Sequence, residues 1–162
     1  MTKLRKLTAL LLAGALTLLF LTACSGGGGS SGPEAQAEAE VMRAIRSNSS
    51  TKNLEYDVGM CNIAKETLAK ADLDADLKGR IGGYKFYNDV KYDKETSTLT
   101  LIAQYDYKDT TLEELIGYIT KNNVASNLKF NLSSNWAKVG VAAKIYNGKT
   151  YIAITLQAVK KT

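Results

Sequence analysis

No histidine occurs among the 162 residues. A Ser-His-Asp or Cys-His site therefore cannot be assembled within the chain, because both need an imidazole to take the nucleophile's proton. Cysteine stands at two positions only, Cys24 and Cys61. Without histidine to complete a nitrogen–sulfur set, a zinc centre lacks ligands. No metal and no cofactor is expected. Proline occurs once, and with 45% hydrophobic and 23% charged residues the chain can build a core, so disorder is a poor reading.

Excess charge is also scarce where it matters. The formal net charge is +5, but Lys3, Arg5 and Lys6 precede the first acidic residue, Glu34. Setting those three cations aside leaves +2, close to neutral, and no nucleic-acid partner is expected. The length suits one domain after removal of a leader.

The leader is the clearest feature present. The basic patch is followed by an apolar run from Leu7 to Phe20, interrupted by Thr8, Gly14 and Thr17. That run is shorter than the ~20 residues of a membrane span, and it has the form of a secretory signal over residues 1–23. Leu21-Thr22-Ala23-Cys24 resembles the lipobox of bacterial lipoproteins, in which a small residue precedes a cysteine that is lipidated and becomes the new N-terminus. The resemblance implies lipidation of Cys24 and a membrane partner reached through that lipid, with the chain on the extracytoplasmic face of the cell membrane. An ordinary cleaved leader with an incidental Cys24 is the alternative. Ser25 to Gly32 reads SGGGGSSG, so residues 24–32 form the lipidated cysteine and a flexible linker. Only Cys61 then remains in residues 33–162, the single folded domain, and no disulfide within it is expected.

Pro33 occupies a favoured first helical position, and Val41 and Ile45 share a face, so a helix is expected to about Arg46. Asp57 can cap a second helix in which Met60, Cys61, Ala64, Leu68 and Ala71 recur at helical spacing. This spacing makes Cys61 an inert core thiol. A turn-rich stretch follows, with Gly79, Gly82 and Gly83. Tyr84 to Tyr87, Val90 to Tyr92 and Thr98 to Tyr105 read as strands. Thr111 with Glu114 forms a capping box for a third helix ending at Asn122-Asn123. Val139 to Tyr146 and Lys149 to Ala158 flank Asn147-Gly148, the preferred pair for a two-residue hairpin. Both faces of these last strands are apolar or small, so both need cover. The expected class is α+β: an α–β–α sandwich with a small antiparallel sheet ending in a C-terminal β-hairpin.

LEYDVGMCNIAKETLAK, from Leu54 to Lys70, and WAKVGVAAKIYNGKTYIAITLQ, from Trp136 to Gln157, together resemble the CAP superfamily. That is the domain of cysteine-rich secretory proteins, antigen 5 and plant pathogenesis-related proteins. The first segment is similar to an early family helix and the second to its closing strands. The resemblance implies an extracytoplasmic α–β–α sandwich that binds a lipid, peptide, glycan or protein. The family's cleft histidines and acids have no counterpart in a chain without histidine, and Asp72 to Asp109 departs from the family pattern.

Asp72, Asp74 and Asp76 alternate as at the start of an EF-hand loop, but Leu77 and Gly83 stand where the loop needs its glycine and bidentate glutamate. They read as a solvated acidic turn. Tyr84, Tyr87, Tyr92, Tyr105 and Tyr107 gather in the central strand region, where rings with a polar tip suit ligand contact. Half-buried strand tyrosines are the plainer reading. The leading expectation is a non-catalytic binding module. The alternatives are a cell-envelope hydrolase with a carboxylate or serine site, and a structural envelope lipoprotein of unrelated α+β fold.

Overall fold

Pro33 and the alanine-rich run behind it form α1, Pro33–Ser47. A computed structural model describes the chain over residues 32–49, 51–81, 84–105 and 136–159. Ala37, Val41 and Ile45 follow one another every four residues and are all buried, so a single stripe of α1 meets the core. Its last turn is closed by Thr51, whose buried hydroxyl donates to the Ile45 carbonyl at 2.6 Å. That bond satisfies one of the carbonyls a helix end leaves open.

The second helix, α2, spans Val58–Lys70. Asp57 caps it by accepting the Met60 N–H at 3.0 Å. The other carboxylate oxygen of Asp57 accepts from Lys138 Nζ at 2.8 Å, and its own N–H donates to the Val139 carbonyl at 3.0 Å. The Lys138 ammonium, helped by the Met60 amide, holds the Asp57 carboxyl below its ordinary 3.8. A depressed folded-state pKa means stability that is present above the unfolded value and lost as acid carries pH through the folded one. Asp57→Ala should cost about 1 kcal/mol at neutral pH, the usual worth of a cap. It should also remove part of the acid-induced loss below about pH 4. Urea midpoints across that range provide the check.

One six-stranded sheet carries both helices. Its spatial order is β1 (Glu55–Tyr56), β5 (Trp136–Tyr146), β6 (Lys149–Val159), β4 (Thr96–Tyr105), β3 (Tyr84–Tyr92) and β2 (Gly79–Ile81). The class is mixed α+β. The sheet expected to be small and antiparallel is six-stranded and antiparallel except at its edge, where β1 pairs parallel to β5 through Glu55↔Lys138 and Tyr56↔Val139. Asp57, fastened to the helix, Lys138 and Val139, brings β1 alongside. The two short strands expected between Tyr84 and Tyr92 are one. Asn88 and Asp89, which divide them in the sequence, remain in register opposite Leu101 and Thr100. β2 arises inside the glycine-rich stretch read as a turn. Between β5 and β6, Asn147 and Gly148 have φ of 49° and 70°, the left-handed geometry of a type I′ turn.

β6 is the middle of the structure: Tyr151 to Leu156 are buried without interruption. Side-chain alternation sends Ile152, Ile154 and Leu156 into one cluster with Leu99, Leu101, Val139, Val141 and the α1 residues Val41, Met42 and Ile45. Tyr151 and Ala153 enter another with Ile102, Ala142, Leu73, Leu77 and the α2 residues Ala64 and Leu68. On the α2 side, Gly140 leaves no room above itself. A Cβ there would overlap Cys61 N and Met60 C and stand 2.7 Å from Met60 Cβ. Beside it the register partners Gly140↔Thr155 and Thr100↔Thr155 place two buried hydroxyls 2.9 Å apart. The helix expected from Thr111, together with Cys24 and Tyr107, lies outside the described residues.

Candidate functional site

A groove opens on the α2 side of the sheet because α2 lies over β5 and β6. Its wall is Ile63, Glu66, Thr67 and Lys70, spaced i, i+3, i+4 and i+7 so that one helical face supplies all four. Its floor is Tyr87, Asp89 and Lys91 of β3, alternate residues that project to one side of a strand. Ala71 and Asp76 complete the lining of a space of about 180 Å³, smaller than the ~300 Å³ at which pockets for drug-sized ligands begin.

The groove's charges are of both signs and lightly paired. Lys70 Nζ stands 3.6 Å from Glu66 Oε2, and Lys91 Nζ 3.9 Å from Asp89 Oδ2. Ion pairs this exposed contribute little to stability, so their partners can be exchanged for a ligand's charges at small cost. Tyr87 is half-buried. Burial first, then the carboxylates of Asp89 and Asp76, raise its pKa above the ordinary 10.0. Its hydroxyl therefore remains a donor throughout the physiological range.

Of the tyrosines expected to act together, Tyr87, Tyr92 and Tyr105 do not converge. Tyr87 packs with the α2-side cluster, whereas Tyr105 packs with the α1-side cluster and donates its hydroxyl to Glu40 Oε2 at 2.9 Å. Tyr92, 60% exposed, pairs with Ser97 at one end of β4, while Tyr105 pairs with Thr150 at the other. Tyr84 pairs through its backbone with Ile81. The register decides which rings share a face, and residue spacing alone does not carry that information. The sequence reading also missed Tyr146 and Tyr151, which meet edge to face at 6.3 Å. The helix-wall residues were equally missed, although their 3.6-residue period was there to be read.

The acidic turn satisfies its own backbone. Asp72 Oδ1 accepts the N–H groups of Asp74 and Ala75, and Asp76 Oδ2 accepts that of Asp72. Asp74 is also taken by the Tyr146 hydroxyl at 3.0 Å. Among the described residues no group of three or more metal-ligating side chains is placed to hold an ion. Cys61 is 1% exposed on the core face of α2 and is disulfide-bonded, which corrects the expectation of an inert free thiol. The chain's other cysteine is Cys24.

One carboxylate is buried away from the groove. Glu38 of α1 is 6% exposed and accepts the Ala143 N–H at 3.0 Å. Desolvation raises its pKa above the ordinary 4.5, against the lowering effect of the Ala143 bond and Lys65. A raised folded-state value makes its contribution most favourable below the unfolded pKa and loses it as pH climbs through the folded one. Thermal stability should therefore fall as pH rises above the ordinary 4.5 of Glu38 and through its raised folded-state value, and Glu38→Gln should flatten that slope. An unchanged slope in melting scans would refute the assignment.

No family model, curated protein or solved structure matches the chain.

Proposed function

We propose that the chain is a lipid-anchored extracytoplasmic protein of the bacterial envelope. Its CAP-like α–β–α sandwich binds a small polar ligand, a short peptide or glycan segment, without transforming it. The groove between α2 and β3 carries this reading: a half-buried tyrosine with its hydroxyl intact, flanked by exchangeable charges of both signs, is suited to holding rather than to proton transfer. Glu38, the carboxylate with the raised pKa, is bonded to β5 and does not line the groove, so the hydrolase alternative gains no support from it. Two core clusters on opposite sides of one sheet, each including a helix, support the sandwich, with β5 and β6 as its closing hairpin. The two segments that resemble the CAP superfamily form α2 and the β5–β6 pair, and they meet where Gly140 lies under Cys61 and Met60.

The anchor rests on the leader, the small residue before Cys24 and the glycine-rich linker. Acyl chains hold a membrane at about 0.8 kcal/mol per buried methylene, so several together make attachment durable. A sulfur in thioether linkage to a lipid cannot also bond to another sulfur, so the anchored form proposed here carries Cys61 as a thiol, and the Cys61 disulfide belongs to the chain before the lipid is attached. Mass spectrometry of the native protein should find the lipid on an N-terminal Cys24. Cys24→Ser should move the chain out of the membrane fraction with its circular dichroism unchanged. A bare or disulfide-linked Cys24 would end the proposal of an anchor. For the groove, amide spectra of the protein should shift at Tyr87 and Lys91 on titration with trialanine or chitotriose, and Tyr87→Ala should abolish the shift. Silence at both residues with both probes would count against a binding role.

A further inference from the structure

The residues that line the groove between α2 and β3 sort into stripes of different chemistry. Ile63, Thr67 and Ala71 follow one another every four residues along α2 and its C-terminal cap, and all three are half-buried. The Thr67 hydroxyl donates to the Ile63 carbonyl at 2.7 Å, so this inner stripe offers contact to apolar groups and little else. Outside it, exposed Glu66 and Lys70 form one lip, and Asp89 and Lys91 form the other. Each lysine has its own carboxylate, at 3.6 Å and 3.9 Å. The remaining charge in the lining is Asp76. Among the described residues no lysine or arginine pairs with it, and one of its oxygens accepts the Asp72 N–H at 2.9 Å. The groove thus holds three carboxylates against two ammoniums, an excess of one negative charge. A cleft with such an excess draws and orients a ligand of the opposite sign. Tyr87 lies close to that excess: after burial, the carboxylates of Asp89 and Asp76 raise its pKa.

We propose that the groove takes the free amino end of a short peptide, with Asp76 accepting the ammonium and the first side chain lying on Ile63, Thr67 and Ala71. The inference rests on the binding role proposed above and names the chemistry of the ligand. An ammonium brings three donors and no acceptor, which matches a carboxylate that has acceptor positions to spare, and hydrogen bonds between ionised partners are the strong ones. The Tyr87 hydroxyl can donate to the first peptide carbonyl. The inner stripe suits an aliphatic side chain such as that of alanine. A glycan matches the groove less well. Neutral sugar hydroxyls leave the extra carboxylate uncompensated, and Tyr87, the one aromatic ring in the lining, is packed against the α2-side cluster.

Amide spectra of the full chain provide the test. Trialanine and trialanine amide share the free amino end and should shift Tyr87 and Lys91 with similar midpoints. N-Acetyl-trialanine should need about tenfold more ligand, the worth of one lost hydrogen bond between charged groups. Chitotriose should move neither residue. Asp76→Asn should weaken trialanine to the level of the acetylated peptide and leave the acetylated peptide as it was. Asparagine keeps an oxygen for the Asp72 N–H, so the turn stays closed. Glu95→Gln, on the exposed turn between β3 and β4, removes an equal charge outside the groove and should change none of these midpoints. Acetylated peptide binding as well as trialanine, loss of binding on blocking the carboxyl end, indifference of trialanine to Asp76→Asn, or shifts with chitotriose would each overturn the amino-end assignment while leaving the groove a binding site. Silence with every ligand would overturn both.

Discussion

Gly140→Ala should cost about 3 kcal/mol or more and strip α2 from the sheet. Ordinary overpacking costs about 1–3 kcal/mol because neighbouring side chains yield. At Gly140 the atoms in the way are mainly backbone, Cys61 N and Met60 C, and they belong to the first turn of a helix whose cap is tied to Lys138 and Val139. Relief requires the whole helix to rise. That would open the cluster of Ala64, Leu68, Ile102 and Ala153 and take the wall of the groove with it. Against a total stability of about 5–15 kcal/mol the loss is severe. Urea unfolding should show a large fall in midpoint, and far-UV circular dichroism should show less helix before the main transition. Gly148→Ala is the instructive comparison. Its φ is 70° with open space around it, so the cost there is conformational, about 1–2 kcal/mol. Near-equal losses at the two glycines would contradict the close-approach argument.

Thr155→Val should cost about 1–3 kcal/mol although valine has nearly the same shape and favours strands. The Thr100 hydroxyl, 2% exposed, would lose the partner it has at 2.9 Å, and an unpaired buried hydroxyl carries the full penalty of desolvation. Removing both hydroxyls in Thr100→Val, Thr155→Val should restore most of the loss, because no polar group is then left unmatched. The sign of that recovery is the decisive reading. A double variant as weak as the sum of the singles would mean each hydroxyl finds its stabilisation elsewhere.

Much of the fold's local content can be read from residues close together in the chain. Val41 and Ile45 mark the buried stripe of α1, Asp57 lies at the start of α2, and TLTLIAQY is part of β4 because β-branched residues alternate there. β1 is invisible at that range. Glu55 and Tyr56 carry no strand pattern, and they pair with residues more than eighty positions away. β3 was broken in the reading because Asn88 and Asp89 are poor strand formers; their place is fixed by Leu101 and Thr100 across the ladder. The site suffers more from this. The spacing of Ile63, Glu66, Thr67 and Lys70 shows a shared helical face, yet nothing local says that Tyr87, Asp89 and Lys91 lie opposite it. Tyr105 was grouped with Tyr87 by proximity in sequence, and the two faces of one sheet separate them.

The strand buried on both sides, β6, is also the most C-terminal of the described segments. β4 and β5 each pair with β6, and β6 lies between them in the sheet. A ribosome making this chain thus releases α1, α2 and the flanking strands before the strand that joins them. Until residues 149–159 emerge, neither core cluster can close, because each depends on side chains from that stretch. The order of synthesis keeps both clusters open until that stretch has emerged, and a chain cut before residue 149 would leave two half-sheets with nothing between them.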